Sequence, residues 1–115
     1  MKKTVSVIMG TYNGEKYIRE QLDSILSQTY PIKEIIIQDD GSTDGTVRIC
    51  EEYAEMYSNV LFSRNERNLG FNLNFKSAAQ RATGDFVAIC DQDDVWFPQK
   101  IARQVEAIGE HDLCF

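Results

Sequence analysis

Four short runs of β-prone apolar residues alternate with four segments of helical period, and no other feature limits the possible folds as sharply. Val5-Ser6-Val7-Ile8-Met9 opens the series and ends at a glycine. Ile35-Ile36-Ile37, Val60-Leu61-Phe62 and Phe86-Val87-Ala88-Ile89-Cys90 follow it. Between them, Ile18, Leu22, Ile25 and Leu26 share one face of a helix predicted over about 15–28. Val47, Cys50, Ala54 and Tyr57 do the same over 46–57. Phe71, Phe75, Ala78, Ala79 and Ala82 give a third helix, stopped at Thr83-Gly84. Pro98 suits the first turn of a fourth, with Ile101, Val105 and Ile108 inward. Asp112-Leu113-Cys114-Phe115 reads as the start of a fifth strand. Runs such as Ile35-Ile36-Ile37 are apolar without alternation, as strands covered on both faces are. The order therefore predicts an α/β fold, a mostly parallel sheet with helices on both faces. Ligands of such sheets sit at the carboxyl ends of the strands.

Composition narrows the function classes. The 115 residues suit one domain, and 43% hydrophobic against 26% charged residues argues against disorder or a coiled coil. No apolar stretch is long enough for a membrane helix. The run after Met1-Lys2-Lys3-Thr4 is too short for a signal-peptide core, so a cytoplasmic protein is expected. Twelve Lys and Arg face 18 Asp and Glu, a net charge of -6 with no basic stripe, which speaks against nucleic acid. Cys50, Cys90 and Cys114 form no CxxC pair and His111 is the single histidine, so zinc spacing is absent and buried reduced thiols are expected.

The chemistry gathers at the strand ends. The fourth strand delivers Asp91-Gln92-Asp93-Asp94. If the strand geometry continues, Asp91 and Asp93 point the same way. Two close carboxylates repel unless a cation lies between them, and hard oxygen ligands suit Mg²⁺ or Mn²⁺ completed by substrate phosphates. A solvated loop of helix-capping aspartates would look the same. Asp39-Asp40-Gly41-Ser42 follows the isoleucine strand. Its glycine and serine read as a turn and a helix start, but that does not account for two acids. Asp39 can accept a hydrogen bond from the ring N–H of a base such as uracil or thymine, and Tyr12 can offer it an aromatic face. Thr11-Tyr12-Asn13-Gly14 ends the first strand without either glycine-rich phosphate motif. Asn65, Asn68 and Gly70 add a polar loop at the same rim, where a plain surface turn is an equal reading. Trp96-Phe97-Pro98 reads as packing rather than stacking on a ligand.

Taken together, these pieces resemble a family 2 glycosyltransferase of the GT-A, Rossmann-like fold. Val5 to Asn13, Glu15, Gln28-Thr29-Tyr30-Pro31, Asp39 to Thr46, Asn68-Leu69-Gly70, Ala82-Thr83-Gly84-Asp85-Phe86 and Asp91-Gln92-Asp93-Asp94 occur in the family's order. Asp91 to Trp96 resembles the rhamnosyltransferase-like branch that builds bacterial surface polysaccharides. The resemblance implies that Thr11 and Tyr12 contact the nucleotide base and that Asp39 reads its ring N–H. It implies that Glu15 and Asp40 line the same pocket, that Asp91 faces the ribose or sugar, and that Asp93, with Asp91, holds Mg²⁺ or Mn²⁺. Asn13, Asn68 and Gly70 join the substrate-binding set. The implied reaction moves a sugar from a UDP- or dTDP-linked donor to a saccharide or lipid-linked saccharide hydroxyl, with a carboxylate general base. A full catalytic domain of the family is about twice this length. Residues 1–115 are thus expected to be its N-terminal donor-binding part, inactive alone, with the base after Phe115. Self-association through an uncovered sheet edge is expected too, and the longer protein would work at the inner face of the membrane. A receiver-like Mg²⁺-binding domain has a similar length and acidic pocket. It wants acids after the first strand and a lysine after a late one, and neither is present. A non-catalytic interaction module with merely superficial acids is the other alternative.

Overall fold

The structure is a computed structural model and describes residues 3–90 and 95–108. The acidic cluster Asp91 to Asp94, the fifth strand expected at 112–115, His111 and Cys114 lie outside the described residues. Strands β1 (Val5–Thr11), β2 (Glu34–Asp39), β3 (Val60–Arg64) and β4 (Phe86–Cys90) form one parallel sheet in the order β3-β2-β1-β4. The chain steps outward from β1 to β3, then crosses back to place β4 on the other side of β1. That reversal is a topological switch point, where ligands of open α/β sheets bind.

Alternation along the strands divides the core. Val5, Val7, Met9, Ile35, Ile37 and Cys90 face helices α1 (Ile18–Leu26), α2 (Thr46–Met56) and α4 (Lys100–Ile108). Ile8 and Ile36 face α3 (Phe71–Ala79), which carries Phe75 and Ala78. Ile35, Ile36 and Ile37 are all fully buried, each contributing about 1.5–3 kcal/mol by leaving water. The α3 face is the thinner layer: Leu61, Val87 and Ile89 remain about two-fifths exposed. Trp96 joins the larger core, whereas Phe97 is exposed. Cys50 and Cys90 are both fully buried. Burial, with the charges of Asp39 and Glu51, pushes the Cys50 thiol up to about 12, which makes it inert. No helix among the described residues is long and apolar enough to cross a membrane.

Two helices depart from the periodic reading. The inward face of α2 is Thr46, Ile49, Cys50 and Tyr53, and Tyr57 lies outside. The rotation is set by Tyr53, whose hydroxyl donates to Asp23 of α1 at 2.7 Å and so can be packed inward without an unpaired polar group. In α3, Ala79 is exposed and Asn74 is buried to 3%. Its side chain is committed to hydrogen bonds beneath the site.

At the amino ends of the strands, Glu34 staples the sheet together. Its carboxylate accepts hydrogen bonds from Ser6 Oγ at 2.5 Å, Thr83 N at 2.7 Å and Thr83 Oγ1 at 2.8 Å. Gly84 N in turn donates to Ser6 Oγ, and a Cβ at Gly84 would lie 2.7 Å from Ser6 N, so this approach requires glycine. Burial raises the Glu34 pKa, but the hydrogen bonds from Ser6 and Thr83 outweigh it and hold the carboxyl below its ordinary 4.5. A lowered folded-state pKa stabilises fully above the unfolded value and less as pH falls through the folded one. The Glu34→Gln variant should therefore lose stability at pH 7 and show a smaller further loss on acidification below about 4.5 than the parent, as read by urea midpoints at both pH values.

Candidate functional site

The carboxyl ends of β1 and β2 carry two adjacent aspartates with separate environments. Asp39 continues the Ile35 and Ile37 face of β2, toward α1 and α2. It is fully buried. Its oxygens accept from Thr11 Oγ1 at 2.7 Å, Ser42 Oγ at 2.6 Å, Ser42 N at 2.9 Å and Gly41 N at 3.1 Å. Arg64 Nε lies 3.9 Å from it. Gly41 has φ +99°, a left-handed turn that brings these donors back onto the carboxylate. Asp39 thus organises the loop after β2, and its acceptor positions are taken by the chain itself.

Asp40 falls on the opposite side, toward α3. With Gly10, Thr11, Tyr12, Asn68, Gly70, Asn74 and Phe75 it lines an open cavity of about 280 Å³, at the small end of the range for small-molecule sites. Gly10 is the floor: a Cβ there would lie 2.9 Å from Asn74 Nδ2 and 3.2 Å from Phe75. Tyr12 is 47% exposed at the rim, leaving its ring open to a planar partner. The Asp40 carboxylate accepts from Leu69 N at 2.6 Å, Gly70 N at 3.0 Å and Asn65 Nδ2 at 2.8 Å, and its carbonyl accepts from Asn68 Nδ2 at 3.0 Å. One aspartate therefore shapes the loop from 65 to 70 into a cavity wall.

The sequence-predicted residues separate accordingly. Thr11, Tyr12, Asp40, Asn68 and Gly70 meet at the cavity. Asp39 does not line it; strand alternation turns it to the other face of the sheet. Asn13, in the left-handed region at φ 51°, accepts Thr43 N at 2.8 Å and ties the β1 turn to the loop after β2. Glu15, three residues before α1, packs against the residues that lead into α2: its amide donates to Asp44 Oδ2, and its Oε1 would lie 2.1 Å from a Cβ on Gly45. Neither joins the cavity lining. Asp91 and Asp93, the expected metal ligands, lie outside the described residues. Among the described residues no group of three or more His, Cys, Asp or Glu side chains could hold a metal ion. Sequence reasoning missed Gln38, Asn74 and Arg81, and noted Asn65 only as part of a loop. Their one signal was a buried-type helix position occupied by asparagine.

A parallel sheet whose strand order reverses beside β1, with an acid-walled cavity at that point, places the chain in the class of open α/β proteins with helices on both faces. The model of the family described as glycosyl transferase family 2 matches residues 6–114, and the chain belongs to that family. EpsE of Bacillus subtilis, named a glycosyltransferase, is 43% identical over 108 residues, covering 93% of this chain and 39% of its own. TuaG of Bacillus subtilis, named a teichuronic acid biosynthesis glycosyltransferase, is 38% identical over 114 residues, covering 99% and 45%. S. aureus TarS, solved with UDP-GlcNAc, superposes with a TM-score of 0.83 at 38% identity over 94% of this chain and 32% of that one. The mannosyltransferase PcManGT of Pyrobaculum calidifontis, solved with GDP-Man and Mn²⁺, gives 0.76 at 33% identity, covering 84% and 29%. The fold is that of the GT-A glycosyltransferases, and the chain spans less than half the length of these relatives.

Proposed function

We propose that this chain is the donor-binding part of a glycosyltransferase acting in bacterial polysaccharide synthesis in the cytoplasm. The protein would transfer a sugar from a nucleoside-diphosphate donor to a saccharide or lipid-linked saccharide hydroxyl. The observation that carries this reading is the cavity beside β1, walled by Asp40 and rimmed by Tyr12. A base would lie against the Tyr12 ring, with its ring N–H donated to Asp40, while Asn68 and Gly70 close over it. Family membership and the nucleotides bound by TarS and PcManGT support the donor class.

Asp91 and Asp93 supply the hard oxygen donors that suit Mg²⁺ or Mn²⁺. Such a metal, when bound, neutralises the leaving diphosphate. We assign the acceptor site and the general base to the additional length the relatives carry. Calorimetric titration of UDP, dTDP and GDP, each with and without Mn²⁺, tests the reading. One nucleotide should bind saturably and more tightly with the metal. Folded protein that binds none of the three in either condition would refute it.

A further inference from the structure

Beneath the cavity, four side chains form a relay with a fixed direction. Arg81 donates from Nη2 to Gln38 Oε1 at 2.6 Å and from Nη1 to Ser63 Oγ at 2.7 Å. A guanidinium only donates, so Gln38 must turn its oxygen to Arg81 and its Nε2 to Asn65 Oδ1. Asn65 must then turn its Nδ2 away, where it donates to Asp40 Oδ1 at 2.8 Å and to Asn74 Oδ1 at 2.7 Å. Asn74 closes the network by donating to the Gln38 carbonyl at 2.9 Å. The amide orientations follow from the donor-only cation at the far end. Along the line from Arg81 through Gln38 and Asn65, each hydrogen bond donates toward Asp40, while Asn74 braces the line from the side.

At Asp40 this leaves a defined vacancy for a donor. Oδ1 accepts from Asn65 and Leu69, and Oδ2 accepts from Gly70. A carboxylate offers about four acceptor positions; the described residues fill three and leave one on Oδ2 of Asp40, a residue of the cavity lining. Uracil, thymine and guanine carry a ring N–H that can fill it. Cytosine and adenine present a bare ring nitrogen at the corresponding edge, which the carboxylate repels, and must shift to offer their exocyclic NH₂ instead.

We propose that Arg81, Gln38 and Asn65 are positioning residues that hold Asp40 as an acceptor aimed into the cavity, and that they set a preference for bases with a ring N–H. The base preference rests on the donor-site reading above; the positioning does not. Gln38→Glu is nearly isosteric but only accepts, so Asn65 must turn its Nδ2 to it and set its oxygen against Asp40. Arg81→Met removes the directing cation from an exposed position, and Arg81→Lys restores a donor there. UDP and CDP affinities, and the hydrogen exchange of the Leu69 and Gly70 amides, are measured for each. The parent and Arg81→Lys should prefer UDP. In Gln38→Glu and Arg81→Met, UDP affinity should fall about tenfold or more, the UDP:CDP ratio should approach one, and both amides should exchange faster. Variants that melt earlier but keep the parent's ratio and amide protection would make the relay merely structural and overturn the proposal. A parent that binds no nucleotide would overturn the base preference along with the donor-site reading, and amide exchange would then decide the positioning claim by itself.

Discussion

Asp39→Ala should be the most damaging single substitution at the rim, lowering stability by about 3–5 kcal/mol. The carboxylate is fully buried and serves Thr11 Oγ1, Ser42 Oγ and the amides of Gly41 and Ser42. Removing it strands these donors where water enters poorly, and each unsatisfied buried group costs about 1–3 kcal/mol, partly relieved by relaxation. At about 4 °C per kcal/mol for a domain of this size, the melting temperature should fall by roughly 12–20 °C. Thermal unfolding followed by circular dichroism checks this. A fall of only a few degrees would mean that Asp39 is not the organiser of the loop after β2.

Asp40→Asn should do the opposite. Its fold should lose less, because the donors it serves, Asn65, Leu69 and Gly70, are only partly buried and can turn to water in the open cavity. Binding should lose far more. An asparagine amide must direct its NH₂ either at the donors Asn65 Nδ2 and Leu69 N or at Gly70 N and an incoming ring N–H. Either choice sets donor against donor. Nucleotide affinity should fall about 10–100-fold, the worth of a hydrogen bond to a charged acceptor, as read by calorimetry. The two variants thus separate two neighbouring aspartates by readout: melting for Asp39, affinity for Asp40. Equal affinity loss at matched stability in both would dissolve the distinction.

That distinction was the part of the site least legible in the sequence. Asp39-Asp40 reads as a pair of acids after a buried strand, and either could face a ligand. What decides is the register that sets Thr11 beside Asp39, together with the alternation that turns Gln38 and Asp40 to the α3 face. Neither is visible without knowing which helix covers which face. The parallel sheet covered by helices on both faces was legible, because Ile35-Ile36-Ile37 and the alternation of elements leave few alternatives, and the turn residues around Gly41 and Gly84 marked the boundaries; the order of the strands was not. The face of α2 was misjudged because Val47 and Tyr57 look like core residues until the Tyr53 hydroxyl finds Asp23. The relay was invisible for a related reason. Gln38, Asn65, Asn74 and Arg81 are spread over 44 positions of chain and obey no motif, and they become a unit only when β2, β3 and α3 pack.

The central claim, that the cavity between β1, Asp40 and the loop before α3 receives the base of a nucleoside diphosphate, is tested most directly by mapping amide chemical shifts during a UDP titration. The account predicts saturable changes concentrated at Gly10, Thr11, Tyr12, Asp40, Asn68, Gly70 and Asn74, with Lys3, Ile32 and Lys33 at the opposite end of the sheet unmoved. Saturable changes centred at that opposite end, or scattered without a focus, would contradict it.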